Sequence, residues 1–186
     1  MDLGLQGKVA LVCAASRGLG KACAELLSAE GALVAICGRD QSTLEVTARG
    51  ISETTGNEVF PVECDLGVKE QVESLVTQVV EKFGRLDIVV HNAGGPPSKP
   101  ADAVSDVEWD QALRLNLQSL VWLAWVAVPI MRQGGAGRII AITSVSVKHV
   151  LDNMVLSNTT RLGVAGLAKT LANELAPDNI LVNVVC

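Results

Sequence analysis

The sequence contains no tyrosine, and aromatic residues make up only 3% of its 186 positions. The absence of tyrosine excludes a phenol as the general acid of any reaction that this chain performs. Hydrophobic residues nevertheless make up 49% of the chain, so most of them are aliphatic. This usage is typical of a parallel sheet covered by helices on both faces, and the length suits one domain with a sizeable core.

Cysteine and histidine are sparse, and positive charge is not concentrated in any segment. The cysteines are Cys13, Cys23, Cys37, Cys64 and Cys186. They form no C-x-x-C pair and accompany no histidine cluster, so no metal site is predicted, and buried thiols in a reducing cytosol are the simpler interpretation. The formal net charge is −5 with both signs interspersed, which gives no sign of a nucleic-acid partner. The N-terminus lacks the pattern of a secretory signal, so a cytoplasmic location is expected.

Long hydrophobic runs are also missing. The most apolar segment, Leu120–Met131, is too short to span a bilayer, which favours a core or interface helix and no membrane contact. Mean hydropathy is still +0.36. Broad apolar surfaces on the helices predicted at 106–132 and 155–175 would be buried in a homodimer or homotetramer. Alternatively, these surfaces only cover the sheet.

The chain does contain a regular alternation of short β-branched runs and longer helical patterns. Strands are predicted at Lys8–Cys13, Ala32–Cys37, Glu58–Val62, Leu86–His91, Arg138–Thr143 and Ile180–Val185, and helices near 18–30, 41–55, 67–83, 106–132 and 155–175. This order predicts one α/β domain over 1–186, with a doubly wound (Rossmann) parallel sheet of six strands and flanking helices. Ligands of such sheets bind where the winding reverses, here between the first and fourth strands.

A glycine-rich turn follows the first strand and reads Cys13-Ala14-Ala15-Ser16-Arg17-Gly18-Leu19-Gly20. Gly18 would let the backbone approach a pyrophosphate, and Gly20 would let the next helix pack closely on the sheet. The N-terminus of that helix offers free N–H groups to phosphates. The predicted binding residues are Ala14, Ser16, Arg17, Gly18, Leu19 and Gly20. Ala14 stands at the tightest point, where its methyl group is tolerable if φ is negative but could narrow the phosphate site. The alternative is a tight turn without a ligand.

The end of the second strand bears on which dinucleotide binds. Gly38 occupies the position where an acidic residue would accept a hydrogen bond from the ribose 2′-OH, and Arg39 follows it. Arg39 and Arg17 together offer positive charge to a 2′-phosphate, which favours NADP(H). If the second strand ends two residues later than predicted, Asp40 would take the place of the acidic residue that binds the ribose 2′-OH, and NAD(H) would remain possible.

These segments resemble the short-chain dehydrogenases/reductases. The first turn resembles the family's T-G-x-x-x-G-x-G, with Cys13 and Ala14 in place of the threonine and the first glycine. The segment His91-Asn92-Ala93-Gly94 resembles the family's N-N-A-G. The resemblance implies further cofactor contacts at Asp65, Leu66, Asn92, Ala93 and Gly94. By itself, Asp65 could equally cap a helix, and His91 is expected to be a buried structural histidine rather than a catalytic one.

The same resemblance predicts a reacting centre. The segment 137–146 resembles the strand that delivers the family's catalytic serine, which would be Ser144, and Asn116 lies near the spacing of the active-site asparagine. The positions of the family's tyrosine and lysine hold Ser157 and Arg161. The sequence on both sides of these positions also resembles the family, so the replacement is not a shift in register.

The two replacements change the expected chemistry. In the family, the tyrosine donates a proton to the carbonyl oxygen and the lysine lowers the tyrosine pKa. Ser157 is a far weaker acid, and Arg161 remains cationic and cannot relay a proton. In a first interpretation, Ser144, Ser157 and Arg161 form an oxyanion site, and water or His149 supplies the proton; His149 could equally be a solvated loop residue.

Two other interpretations remain. The protein could bind a dinucleotide without turnover, as a sensor or an assembly subunit. It could also perform other chemistry, like relatives that release halide, although those keep the tyrosine and lack the glycine-rich turn. We expect an NADP(H)-preferring oxidoreductase acting on a small-molecule carbonyl or alcohol, with the sensor or assembly subunit as the alternative.

The chain ends at the close of the sixth predicted strand. Members of the family continue with a loop, a helical segment over the substrate and a seventh strand. The resemblance therefore leads us to expect a C-terminally incomplete domain that lacks the seventh strand.

Overall fold

The computed structural model describes residues 1–186. The strands are β1 (Val9–Val12), β2 (Leu33–Gly38), β3 (Val59–Glu63), β4 (Ile88–His91), β5 (Gly137–Ile142) and β6 (Ile180–Val185). The helices are α1 (Gly18–Ala29), α2 (Gln41–Thr55), α3 (Lys69–Phe83), α4 (Asp106–Ala112), α5 (Ser119–Gln133) and α6 (Val155–Leu175). Every predicted strand and helical region is present, with ends within two residues of the predicted ones.

The six strands form one parallel sheet in the order β3-β2-β1-β4-β5-β6. This order confirms the predicted doubly wound fold. The winding reverses between β1 and β4, so the turns that follow these two strands meet at one edge of the sheet.

Local signals fix where several helices begin and end. The Asp40 carboxylate accepts a hydrogen bond of 2.6 Å from the Thr43 amide and caps α2, and Gly56 ends that helix with a φ of 75°. A capping box formed by Ser105 and Glu108 begins α4.

The helix predicted at 106–132 is interrupted by a π-helical segment, Leu113–Gln118, between α4 and α5. Hydrophobic periodicity cannot reveal a π-helical segment, because such a segment adds only one residue to a helical turn. The segment buries the Asn116 side chain, which is 1% exposed. The π-helical turn therefore carries one of the predicted active-site residues into the interior.

Helices cover the two faces of the sheet unequally. The side chains of α3, α5 and α6 pack on one face, and those of α1 and α2 pack on the other. The second face is left partly exposed over β5 and β6, where Leu181 and Val185 are 44% and 55% exposed.

One helical region, Asp106–Gln133, is long and apolar enough to cross a membrane by length and composition. Leu120–Met131, the most apolar part of this region, is by itself too short to span a bilayer; the region as a whole is longer. Eight of the fifteen side chains of α5 are nevertheless buried in this fold, and core helices of globular domains meet the same criteria. Its packing on the sheet accounts for its hydrophobicity.

Candidate functional site

A cavity of about 250 Å³ lies at the carboxyl ends of β1, β2, β3 and β4. Its walls are formed by Ala14, Ser16, Arg17, Gly38, Arg39, Cys64, Asp65, Leu66, Asn92, Ala93, Gly94 and Leu115. The structure thus brings together all but three of the residues that the sequence predicts to bind a cofactor. The exceptions are Gly18, Leu19 and Gly20.

These three residues shape the backbone rather than the wall. Gly18 has a φ of 60°, which favours glycine, and Leu19 points outward with 66% exposure. A Cβ atom at Gly20 would lie 2.5 Å from the Ala14 carbonyl oxygen. Gly20 therefore allows the first turn of α1 to touch the loop that it follows.

Ala14 does not meet the condition of a negative φ. Its φ is +46°, so an alanine occupies a left-handed conformation that costs about 1–2 kcal/mol. Two contacts hold the loop in place: the Asn92 amide donates to the Ala14 carbonyl oxygen at 3.3 Å, and the Thr47 hydroxyl donates to the Ser16 carbonyl oxygen at 2.9 Å. The surrounding structure imposes the strained turn.

Replacing Ala14 by glycine should therefore stabilise the protein. Ala14→Gly is expected to raise the free energy of unfolding by about 1 kcal/mol, since the left-handed strain removed exceeds the entropy that glycine adds to the unfolded chain. Urea denaturation measures the change. Ala15→Gly, whose φ is not positive, is the control and should be less stable than the parent. A decrease in stability for Ala14→Gly would contradict the strain at this position.

Two arginines stand at the mouth of the cavity without an acidic partner. Arg17 and Arg39 are exposed, and neither takes part in an ion pair. Gly38, the last residue of β2, lines the same cavity. Asp40 does not line the cavity, because its carboxylate caps α2; hydrogen bonds from Thr43 hold its pKa below the usual range. The end of β2 therefore offers positive charge to the cavity and no acidic acceptor.

The other predicted contacts follow β3 and β4. The Asp65 carboxylate accepts a hydrogen bond from the Gly67 amide at 2.9 Å, whereas Val68 is the N-cap of α3. Asp65 is therefore not the N-cap of α3, and its Oδ2 has no hydrogen-bond partner. Asn92 links the β4 turn to Ala14, so the turns that follow β1 and β4 form one wall of the cavity.

The sequence did not indicate that Cys64 and Leu115 would line the cavity. Cys64 follows β3 directly, and its position before Asp65 was the available signal. Leu115 comes from the π-helical segment, whose geometry the sequence does not reveal. Both supply apolar surface beside the polar groups of the wall.

Ser144 and His149 lie on the loop after β5 and differ in their surroundings. Ser144 is half-buried, and its hydroxyl oxygen accepts a hydrogen bond of 3.1 Å from the Ser146 amide. The hydroxyl proton of Ser144 remains available to another acceptor. His149 is exposed, which matches the interpretation of a solvated loop residue.

Arg161 and Ser157 lie one helical turn apart on the buried side of α6. The Arg161 guanidinium donates to the carbonyl oxygens of Thr143 at 3.2 Å, Ile142 at 3.5 Å and Ala93 at 3.3 Å. It therefore ties the end of β5 to the turn after β4. Burial lowers the pKa of Arg161 from its ordinary value, and no carboxylate pairs with it.

Asn116 carries an unsatisfied atom next to α6. Its amide nitrogen donates to the Ala112 carbonyl oxygen at 3.3 Å, but its buried Oδ1 has no partner. The π-helical segment that holds it packs against α6. An acceptor left without a donor in the interior costs about 1–3 kcal/mol, so this site favours a bound donor such as water.

His91 is buried and neutral. Its Nε2 lies 2.8 Å from the Ser119 hydroxyl, which itself donates to the Leu115 carbonyl oxygen at 2.6 Å. Nε2 is therefore the protonated nitrogen, and Nδ1 is a buried acceptor without a partner. Burial, together with the charge of Arg161, lowers the pKa of His91 to about 4. The prediction of a structural histidine fits, although only one of its two nitrogens has a partner.

The depressed pKa makes stability depend on pH. In the unfolded chain His91 titrates near its ordinary value of 6.5, and in the folded protein near 4, so its contribution is complete above about pH 6.5 and is lost as the pH falls towards 4. Asparagine cannot titrate in this range. In His91→Asn the loss of unfolding free energy between pH 7 and 4 should therefore be about 3 kcal/mol smaller than in the wild type. Urea denaturation of both proteins between pH 7 and 4 measures the difference. Parallel pH curves for the two proteins would contradict a buried neutral histidine.

Comparisons with known proteins agree with this geometry. A family described as short chain dehydrogenase matches residues 8–186. The chain is 36% identical over 181 residues to "Dehydrogenase/reductase SDR family member 4" of Sus scrofa, covering 96% of this chain and 64% of that protein. It is 34% identical over 185 residues to "3-oxoacyl-[acyl-carrier-protein] reductase FabG" of Aquifex aeolicus, covering 100% of this chain and 75% of that protein.

A solved structure is similar over almost the whole chain. The structure of L-sorbose reductase from Gluconobacter frateurii, complexed with NADPH and L-sorbose, superposes with a TM-score of 0.96 at 35% sequence identity. The match covers 99% of this chain and 70% of that protein. The chain thus spans about two thirds to three quarters of the length of these relatives.

Proposed function

This chain belongs to the short-chain dehydrogenase/reductase family, and on that premise we propose that it is an NADP(H)-preferring oxidoreductase that interconverts a carbonyl and an alcohol. The observation that carries the proposal is the cavity at the reversal of winding, with Arg17 and Arg39 unpaired at its mouth. NAD(H) is the second possibility, and the absence of an acidic residue at Gly38 weighs against it.

The residues present fit an adenine dinucleotide. Arg17 and Arg39 would hold a 2′-phosphate, and Asp65, which lines the same cavity, would contact the adenine. The amides that begin α1 have no side-chain cap and would bind the diphosphate. Gly20 supports this fit, because its missing side chain allows α1 to approach Ala14. When bound, the cofactor would donate or accept a hydride.

The protein's own contribution at the reacting centre is positioning and charge. Ser144 keeps a hydroxyl proton that can be donated to a substrate oxygen. Arg161 holds the loop that carries Ser144 through the Thr143 carbonyl, and it adds a positive charge beside the developing oxyanion. Ser157 is too weak an acid to replace a phenol, so the proton would come from water. Asn116 would keep such a water in place through its unpartnered Oδ1.

We further propose that the substrate is a small carbonyl or alcohol, that the protein is cytoplasmic and that it forms a homodimer or homotetramer. Support for self-association comes from exposed apolar side chains on the helices expected to pair. Val107 is 64% exposed, Trp125 63% and Leu162 57%. Sedimentation velocity over a range of concentrations would show whether the chain is an oligomer.

The test of the function combines binding with turnover. Wild-type protein should bind NADPH, measured by its fluorescence, and should oxidise it slowly with members of a panel of ketones and quinones. Ser157→Tyr combined with Arg161→Lys should increase the rate of carbonyl reduction at least tenfold, because a positioned general acid contributes about 10²- to 10⁴-fold.

Arg161→Lys alone is the matched control for this experiment. It lacks the phenol and should not gain activity, and it should lose part of the backbone clamp, because one ammonium group replaces the guanidinium fork. Tight NADPH binding with no turnover by wild type or by the double variant would contradict the oxidoreductase and favour a dinucleotide sensor.

A further inference from the structure

Three of the five cysteines lie together beneath the nucleotide cavity. Cys13, Cys37 and Cys64 stand at or just beyond the carboxyl ends of β1, β2 and β3, which are neighbours in the sheet. Each of the three is at most 1% exposed, and all belong to the core on the α3 and α5 side. Cys23 is half-buried and Cys186 is exposed, so the cluster is separate from the accessible thiols.

The strand register places two of these cysteines side by side. The last recorded pair between β1 and β2 is Val12 with Ile36, and the next residues of the two strands are Cys13 and Cys37. Neighbouring strands lie about 4.8 Å apart, which falls within the Cα separations of about 4.4–6.8 Å that disulfides span. Both side chains also face the same core.

Cys64 is placed differently from this pair. The residue of β3 that pairs with Cys37 is Val62, so Cys64 lies two residues farther along and reaches Cys37 only on a diagonal. Two residues of strand add about 6.6 Å, which takes the Cα separation beyond the usual limit for a disulfide. The geometry therefore favours Cys13 with Cys37.

Cys37 is also in contact with the nucleotide turn. Its side chain lies in the same core as those of Cys13 and Cys64. Its carbonyl oxygen accepts a hydrogen bond from the Ala15 amide at 2.9 Å. Any chemical change at the Cys37 sulfur therefore acts on the backbone of the strained turn. Ala14 and Cys64 both line the cavity, which makes the cavity the shortest route for a reagent to reach the cluster.

We propose that Cys13 and Cys37 are a redox-sensitive pair that a hydroperoxide oxidises to a disulfide when the cavity above them is open. Both S–H bonds break and one S–S bond forms, so the two thiols lose two protons and two electrons. The hydroperoxide accepts these two protons and two electrons as its O–O bond breaks. The products are water and an alcohol, or two waters when the oxidant is hydrogen peroxide. The disulfide shifts the end of β2, where the Cys37 carbonyl oxygen holds the Ala15 amide, and thereby weakens dinucleotide binding. This last effect, and protection by bound dinucleotide, rest on the proposed function.

The surroundings of Cys37 set the pace of this reaction. The neighbouring Cys13 thiol raises the pKa of the Cys37 thiol well above its usual value, and burial adds to the increase. Since the thiolate is the reactive form, oxidation is slow at neutral pH and accelerates as the pH rises.

The test uses the full chain carrying Cys23→Ser and Cys186→Ser, which removes the accessible thiols. After treatment with hydrogen peroxide, remaining thiols are alkylated under denaturing conditions and the protein is digested with trypsin. We expect a peptide that links segments 9–17 and 22–39 and disappears on reduction with dithiothreitol. NADPH affinity should fall at least about tenfold in the oxidised protein, equivalent to about 1.4 kcal/mol, and recover on reduction.

Two variants separate the possible causes. Cys13→Ala should form no link and keep its NADPH affinity after peroxide, while Cys64→Ala should still form the link. Absence of the linked peptide from the parent chain, or a link from Cys37 to Cys64, would overturn the proposal. A Cys13–Cys37 link whose formation NADPH does not slow would support the thiol pair and contradict the cofactor site.

Discussion

Gly20→Ala should reduce NADPH binding by at least about 100-fold. The added methyl group would lie 2.5 Å from the Ala14 carbonyl oxygen and 2.9 Å from the Ala15 Cα. Both contacts are with backbone, so either α1 or the turn must move, and overpacking of this kind costs about 1–3 kcal/mol. The displacement would misalign the α1 amides with the diphosphate. Fluorescence titration with NADPH measures binding, and urea denaturation measures the accompanying loss of stability.

Gly50→Ala is the matched control for this change. Gly50 lies inside α2, is exposed and has no atom within 4 Å of an added Cβ. The substitution should leave NADPH binding unchanged and stabilise the protein by about 0.5–1 kcal/mol, because alanine is the better helix former. Unchanged NADPH affinity in a folded Gly20→Ala protein would show that the turn does not hold the dinucleotide.

The second large effect is expected at Gly38. Gly38→Asp should shift the ratio of the NADPH and NADH dissociation constants at least about 100-fold towards NADH, since placing like charges together costs several kcal/mol. The site has room for the new side chain: a Cβ would lie 3.4 Å from Leu44 Cδ2 and 3.6 Å from Ser16 Oγ. The carboxylate would repel a 2′-phosphate, neutralise Arg17 and Arg39, and accept a hydrogen bond from a 2′-OH.

Gly38→Asn separates charge from size. The amide has nearly the same shape as the carboxylate but no charge, so it should shift the ratio of dissociation constants far less. Titration of both variants with both coenzymes measures this difference. Equal shifts in the two variants would mean that steric contact, and not the 2′-phosphate charge, decides the preference.

The sequence predicted the layers, the strand order and the position of the cavity, because these follow from hydrophobic periodicity and from turns of recognisable composition. It could not predict the backbone of Ala14. That conformation is imposed by long-range contacts such as the hydrogen bond from Asn92, 78 residues away, which no local pattern contains.

The proposed reacting centre follows from the family resemblance, which points to Ser144, Ser157 and Arg161. The resemblance did not reveal that the Arg161 guanidinium would bond three backbone carbonyls. The π-helical segment that buries Asn116 was equally invisible, because the amphipathic pattern of a helix hardly changes when one turn widens. Likewise, the sequence spaced Cys13, Cys37 and Cys64 far apart, and only the register of a parallel sheet brings them together.

Calorimetric titration of the wild-type chain with NADPH, and separately with NADH, tests the central claim most directly. A dinucleotide site at the turns after β1 and β4, with Arg17 and Arg39 at its mouth, predicts saturable uptake of one NADPH per chain and weaker uptake of NADH. Heat of dilution alone with both coenzymes would contradict the assignment of this cavity and, with it, the proposed oxidoreductase.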